Sequence, residues 1–316
     1  QVRDVWAMAH LYDELRGSST ESMSPTSEDL TDTYLDQLQL LLEDDTYEEI
    51  VLQLVTPDML TIDERQLFCL KGYDEDMRKR MGAACRKELV DLCKIGTWEI
   101  CPLPFGHHAK GTKLLCKVKQ LADGGHDKDK GRLVVLGCQA RLGKDFFSTY
   151  SPMASLTSVR AILAMAAHYK LDVYQADIKQ AFLRARLPHD SYVRLPKGVS
   201  ITSNLDSSVS TDNGYVLRLL RSLYGLKEAP QIWNKELSQF AEDEGFTRAD
   251  SETSLYYKIN SDGSWCIVLA EVDDLLVTGT STTTCAQFRA SLIDKFSRID
   301  ADGEKDDEAI AWHSIS

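Results

Sequence analysis

Carboxylates stand out at two places in this chain. Asp177 lies within Tyr174-Gln-Ala-Asp-Ile-Lys-Gln-Ala-Phe182, and Asp273-Asp274 sits between two apolar runs, Trp265-Cys-Ile-Val-Leu-Ala270 and Leu275-Leu-Val-Thr278. Carboxylate oxygens so placed can hold two Mg2+ ions roughly 4 Å apart, which is how phosphoryl transfer neutralises attacking and departing oxygens in line. An Asp pair alone says little, because Asp44-Asp45 and Asp306-Asp307 also occur in this acidic chain. The setting says more: two carboxylates in a turn between apolar strands are costly unless cations or hydrogen bonds compensate. The residues by themselves leave a solvated turn and a metal site both open.

Strands and helices must position these side chains. Helical spacing over Arg86–Lys94 ends at Gly96, and Thr97-Trp-Glu-Ile100 starts an extended segment. Strands over 114–118 and 133–136, joined by the turn-rich Asp123-Gly-Gly125, form a basic hairpin. Ser155 or Thr157 caps a helix running to about Tyr169, and a short strand from Leu171 delivers Asp177. The Ser, Thr, Asn, Asp and Gly of 200–214 read as an exposed loop before a strand over 215–220. Pro230 opens a helix that Gly245 ends. Strands near 255–257, over 265–270 and over 275–278 follow, and Thr282–Thr284 caps a last helix. This order predicts an α+β fold, an antiparallel sheet backed by helices rather than a parallel doubly wound one.

Composition narrows the function classes. A chain of 316 residues with 43% hydrophobic content can bury a sizeable core. No stretch reaches the roughly 18 uninterrupted apolar residues of a membrane span, so a soluble, intracellular protein with no membrane partner is expected. The eight cysteines are scattered with no Cys-x-x-Cys, which predicts buried reduced thiols rather than a disulfide scaffold or a zinc ribbon. His107-His108 with Cys101 and Cys116 fits no zinc spacing. A net charge of −13 speaks against nucleic acid until its distribution is read. Residues 1–95 hold 10 Lys/Arg against 21 Asp/Glu and residues 300–316 hold 1 against 6, which leaves 25 against 22 in the middle. Within that middle, 110–144 carries nine basic residues and three acidic ones. Residues 1–84 read as an acidic linker region, partly disordered, and 305–316 as an acidic tail.

The stretch 85–304 resembles the reverse transcriptase domain of copia-type retrotransposon polyproteins. The resemblance rests on ordered motifs: Gly96-Thr-Trp-Glu99; Cys116-Lys-Val-Lys119 with Asp123-Gly124; Lys130-Gly-Arg-Leu-Val134; Phe147-Ser-Thr-Tyr-Ser-Pro152; Asp177-Ile-Lys-Gln-Ala-Phe-Leu183; Ser222-Leu-Tyr-Gly-Leu-Lys-Glu-Ala-Pro230 with Trp233; and Val272-Asp-Asp-Leu-Leu-Val-Thr-Gly279. It implies a right-hand polymerase of fingers and palm, with the thumb missing or truncated, acting as an RNA-directed DNA polymerase by two-metal nucleotidyl transfer. Implied partners are an RNA or DNA template with primer, deoxynucleoside triphosphates and other segments of the polyprotein. The implied cofactor is Mg2+, with Mn2+ as an alternative, and the implied location is cytoplasmic, within retrotransposon particles, or nuclear. By resemblance Asp177 and Asp273 are the principal metal ligands, Asp274 assists beside the primer end, and the carbonyl of Ile178 is a further ligand. Phe182 takes the place of the aromatic gate that excludes a 2′-hydroxyl, although a bare Phe in an apolar segment is more often core. Tyr224 and Gly225 fall in the nucleotide-binding turn, where a small residue admits close backbone approach; Lys227 beside them reads equally as a surface lysine. Lys117, Lys119, Lys130 and Arg132 are the residues expected to grip a triphosphate, Arg132 foremost, against the alternative of an ordinary solvated hairpin.

The chain departs from the family pattern in ways that bear on activity. Glu271 stands where an aromatic residue usually precedes Val-Asp-Asp, Glu228 where Gln is usual, Gly131 where Ala is usual, and Glu252-Thr-Ser254 where Asp-Pro-Cys is usual. The resemblance stops after Glu304, where a thumb and ribonuclease H would be expected next. A catalytically silent, truncated remnant that keeps the fold and binds nucleic acid weakly is the alternative reading.

Overall fold

The computed structural model describes residues 53–121, 123–297 and 309–315. Among them are fourteen strands and five α-helices. Strands β1 (Gln53–Leu54) and β2 (Leu60–Ile62) precede helix α1 (Glu75–Lys94). Then come β3 (Trp98–Cys101), β4 (Ala109–Gln120), β5 (His126–Val135), α2 (Leu156–Tyr169), β6 (Val173–Ile178) and the short α3 (Ala181–Arg184). Strands β7 (Tyr192–Arg194), β8 (Val199–Ile201) and β9 (Val216–Leu219) lead to α4 (Ala229–Asp243). The last elements are β10 (Thr247–Arg248), β11 (Leu255–Ile259), β12 (Trp265–Glu271), β13 (Asp274–Gly279), α5 (Thr282–Phe296) and β14 (Ile310–Ile315).

Two six-stranded sheets organise the molecule. One has the order β1-β3-β9-β7-β4-β5 and is antiparallel except for β4 beside β7; the other has the order β10-β11-β12-β13-β6-β14 and is antiparallel throughout. Each has its own core. Leu89, Trp98, Leu114, Leu133 and Leu217 pack under the first sheet, while α4 and α5 lay Trp233, Phe240, Phe288 and Phe296 on Val268, Leu275 and Val277 of the second. The expected antiparallel sheet backed by helices is therefore present, accompanied by a second sheet that the short strands of the sequence hid.

Four expectations change. Of the region read as an acidic linker, residues 1–52 lie outside the described residues, but 53–84 pack: Val55, Met59, Leu67, Leu70 and Met81 are buried. Helix α1 starts at Glu75, capped by the Asp74 carboxylate on the Met77 amide, eleven residues before the expected Arg86. Its buried positions Met81, Cys85, Leu89 and Leu92 follow helical spacing, but the surrounding charged residues mask it. The 200–214 segment is an exposed loop only in part: residues 204–208 and 212–214 are exposed, but Ile201, Ser203 and Ser210 are buried. It contributes β8, which pairs with β2, and Thr211 and Ser203 hydroxyls satisfy the Ile201 and Leu205 amides. The acidic tail contributes β14, an edge strand that pairs with β6 along its length.

The β4–β5 hairpin seats on α1 through Gly131. A Cβ there would lie 2.7 Å from the Ala84 carbonyl oxygen and 3.0 Å from the Cys85 Cα, so the departure from Ala lets helix and strand approach. Replacing Gly131 by Ala should destabilise the fold by about 1–3 kcal/mol, the usual cost of an overpacked contact, read as a lower urea midpoint at unchanged slope.

Candidate active site

The carboxylates meet because β13 pairs with β6 in one register. Asp274 is the Cα partner of Asp177, Glu271 is the partner of Asp274, and Ala311 closes the row on the other side of Asp177. Directly opposed residues share a face of a sheet, so Glu271, Asp274 and Asp177 present three carboxylates side by side. All three are exposed. The opposite face of β6 and β13, with Ala176, Ile178, Leu275 and Val277, is buried against the helices.

Asp273 sits in the turn between β12 and β13, and its carbonyl accepts the Ile178 amide hydrogen bond at 2.8 Å. Val272 before it is left-handed, φ +56°, a conformation that β-branched residues avoid and that needs support. That support includes Trp233, whose buried indole N–H donates to the Val272 carbonyl. Burial pushes the Asp273 carboxyl above its usual range, and Asp274 and Asp177 add like-charge repulsion. The shift means that charge on this turn is unfavourable as the fold stands. Among the described residues, the one group of three metal-ligating side chains whose donor atoms lie within 4.8 Å of one another is a cysteine cluster. The carboxylates are more open than a single-ion cage.

Across from this row stand an aromatic pair and a basic hairpin. Phe182 on α3 meets Tyr224 edge-on at 5.4 Å, and the Arg132 guanidinium lies 5.1 Å from the Tyr224 ring centre. The Tyr224 hydroxyl is pushed up to about 12, chiefly by burial, with Arg132, Asp273 and Asp177 among the charges acting on it. Arg132 also acts on Asp273, so these residues share one electrostatic neighbourhood. Gly225 at φ +89° brings its backbone against β5; a Cβ there would lie 2.1 Å from the Val135 carbonyl. The close approach it permits is thus to the hairpin. The Tyr224 carbonyl accepts from the Val135 amide at 2.7 Å, which fastens the turn to β5.

The hairpin register sorts its charges. Lys117 faces Lys130, Lys119 faces Lys128 and Leu115 faces Arg132, so these cations and Lys113 lie on one face. Cys116, Leu114 and Leu133 lie on the other, toward α1. Opposed like charges are unfavourable in a sheet, and an anion over this face would offset them. Burial together with Arg132 and Lys119 pushes the Lys130 ammonium below its ordinary value. At about 3.3 Å per residue, the Lys117–Lys130 row lies roughly 7 Å and the Lys119 row roughly 13 Å from that of Arg132. Arg132 alone of the four lies against the aromatic pair, while Lys119 is toward the hairpin tip.

Reading the sequence missed several contributors. Lys113 and Lys128 join the basic face only through the register. Lys227 lies over the Phe146 ring at 4.6 Å and is not simply a solvated lysine. Glu252, at one departure from the family pattern, accepts from the Ser155 amide and the Ser158 hydroxyl and so anchors the start of α2. Glu228, at another, is buried and lies 2.9 Å from His189 Nε2. Glu271 has no comparable partner and stands in the carboxylate row, beside a 290 Å³ hollow walled by Leu163, Leu269 and Leu276.

An exposed carboxylate row, a strained turn held by a buried indole, and a facing cluster of aromatic and basic side chains thus share one neighbourhood. Residues 95–304 match the model of the reverse transcriptase (RNA-dependent DNA polymerase) family. The retrovirus-related Pol polyprotein from transposon TNT 1-94 of Nicotiana tabacum is 31% identical over 78% of this chain and 18% of its own length. That from transposon RE1 of Arabidopsis thaliana is 32% identical over 71% of this chain and 14% of its own. Truncated apo telomerase from Candida tropicalis aligns with a TM-score of 0.33 at 10% identity over 65% of this chain and 50% of that one, too slight a likeness to bear on the fold. The chain belongs to the reverse transcriptase family and is a retrotransposon-type domain within it. It spans less than a fifth of the length of these Pol relatives.

The Glu228–His189 contact gives a pH prediction. Glu228 holds the His189 imidazole above its ordinary 6.5, burial and Lys110 opposing. A raised folded value means stabilisation present below 6.5 and lost as pH rises through the folded value. Glu228→Gln should therefore lower Tm most below pH 6.5, with the deficit shrinking as pH rises past the raised value, measured by thermal melts across pH.

Proposed function

We propose that this chain is the fingers and palm of an RNA-directed DNA polymerase, the first sheet with its basic hairpin forming the fingers and the carboxylate sheet the palm. What carries the reading is that Asp177, Asp273, Arg132, Tyr224 and Phe182 share one neighbourhood although up to 141 positions separate them in the chain. The substrates are a deoxynucleoside triphosphate and a primer paired to an RNA or DNA template.

Asp177, Asp273 and Asp274, with the Ile178 carbonyl, would hold divalent cations of the Mg2+ type. The donor set fits: all are hard oxygens, and the β6–β13 register sets Asp274 directly opposite Asp177, with Asp273 in the adjoining turn. The chemistry such cations supply when bound is neutralisation of the attacking primer hydroxyl and the departing phosphate oxygens. The protein's own side chains do the rest. Arg132, with Lys130 and Lys117 behind it, draws the triphosphate toward the carboxylates and orients it. The Phe182 ring, propped edge-on by Tyr224, would stand under the sugar and exclude a ribose 2′-hydroxyl. Trp233 keeps Asp273 at a fixed height by holding the turn.

Primer extension on an RNA template with Mg2+ tests this. The wild-type chain should incorporate deoxynucleotides, Asp177→Asn should fall to background, and Phe182→Ala should gain ribonucleotide incorporation. Arg132→Ala should raise KM for the triphosphate about 10- to 100-fold, the value of a charge-assisted hydrogen bond. No incorporation by the wild type, or equal incorporation by Asp177→Asn, would refute the proposal and favour a silent domain in which Glu271 repels the primer phosphates.

A further inference from the structure

Three thiols that the sequence scatters converge beneath the basic hairpin. Cys69 lies in the turn Phe68–Leu70, Cys85 on α1 and Cys116 on β4. The Cys85 Sγ is 3.2 Å from that of Cys116 and 3.9 Å from that of Cys69, and all three sulfurs lie within 4.8 Å of one another. No other group of three metal-ligating side chains among the described residues is as tight. Sulfurs that share one tetrahedral ion at about 2.3 Å each lie roughly 3.8 Å apart, so this triangle has the size of a single thiolate-bound ion.

The surroundings suit such an ion. Cys85 is fully buried in the apolar core, and Cys69 and Cys116 are half-buried at its margin. Cys69 also lines a 260 Å³ cavity with Gln66, Thr112, Lys113 and Lys197, which gives a way in and room for a water as fourth ligand. Three thiolates balance a divalent cation to a net charge of −1, which Lys113 near Cys69 offsets. The palm pair Cys266–Cys285, 3.1 Å apart, offers two sulfurs without a third and lies fully inside a core.

We propose that Cys69, Cys85 and Cys116 form a site for one thiophilic cation of the Zn2+ class, which fastens β4 of the basic hairpin to α1 and to the turn before it. On binding, the three thiols release their protons to solvent and form three metal–sulfur bonds, with no change of oxidation state. The three ligands come from separate segments, so occupancy ties α1 and the turn before it to β4, the strand paired with the β5 that carries Arg132 and Lys130. The site stands or fails independently of polymerase activity.

Cadmium titration of the metal-free, reduced chain tests it. Thiolate-to-metal charge-transfer absorbance should saturate at one Cd2+ per chain, be lost in the double variant Cys69→Ser/Cys116→Ser, and persist in Cys138→Ser, whose thiol is exposed. A wild-type measurement avoids dependence on how the variants fold: excess Zn2+ should slow alkylation of Cys69 at least about tenfold while leaving Cys138 unchanged. No charge-transfer band, a band that survives the double variant, or equal alkylation of Cys69 with and without Zn2+ would overturn the site. So would a Cys85–Cys116 disulfide in the chain isolated under mildly reducing conditions, because it removes two of the three ligands.

Discussion

The structure depends above all on the pairing of β13 with β6. It is a backbone interaction between segments about 100 residues apart, and one register sets Asp274 opposite Asp177 and Leu275 opposite Ala176. A slip of one residue would turn the acidic row into the helix-packed core and the core residues to solvent, so burial of Leu275, Val277 and Ala176 fixes where the carboxylates point. The apolar runs on either side of Asp273-Asp274 thus serve to hold charge in place. The cost appears locally: a valine in a left-handed conformation, a carboxyl pushed upward, and three like charges in a row. Strain and repulsion of this kind persist where the surrounding packing over-determines the geometry.

The first sheet, which carries the basic hairpin, solves a complementary problem. It concentrates cations on one face of a hairpin whose other face is seated on α1, and it fastens that hairpin to the Tyr224 turn through the Val135 amide. Gly131 and Gly225 make both contacts close enough. Phe182 packs against the cores of both sheets and touches Tyr224, so the junction between the sheets is also where aromatic, basic and acidic groups converge. A chain with a net charge of −13 presents a basic surface there because its acidic residues are concentrated elsewhere.

Much of this was legible in the sequence, for physical reasons that differ by element. The strands around Asp273-Asp274 and the helix from Pro230 to Gly245 announced themselves by apolar runs and by their start and stop residues. The basic hairpin did so by its turn and its lysines. What stayed hidden depends on distant partners. Strands β1, β2, β7 and β8 are two or three residues long and acquire meaning only from the chains beside them. Strand β14 was masked by the acidic residues before it. Helix α1 was read too short because its first turns are charged. Register is the larger omission: the alignment of Glu271 with Asp274, the convergence of three cysteines, and the contact of Glu228 with His189 all join residues that no local spacing connects.

On the proposed function, Asp177, Asp273 and Asp274 act together as a cation site that the sheet assembles. Mn2+ binding followed by electron paramagnetic resonance on the cysteine-blocked chain tests it most directly. Bound Mn2+ should be lost on replacing Asp177 by Asn, and equally on replacing Asp273, although the two lie in separate segments. Undiminished binding in either variant would contradict it.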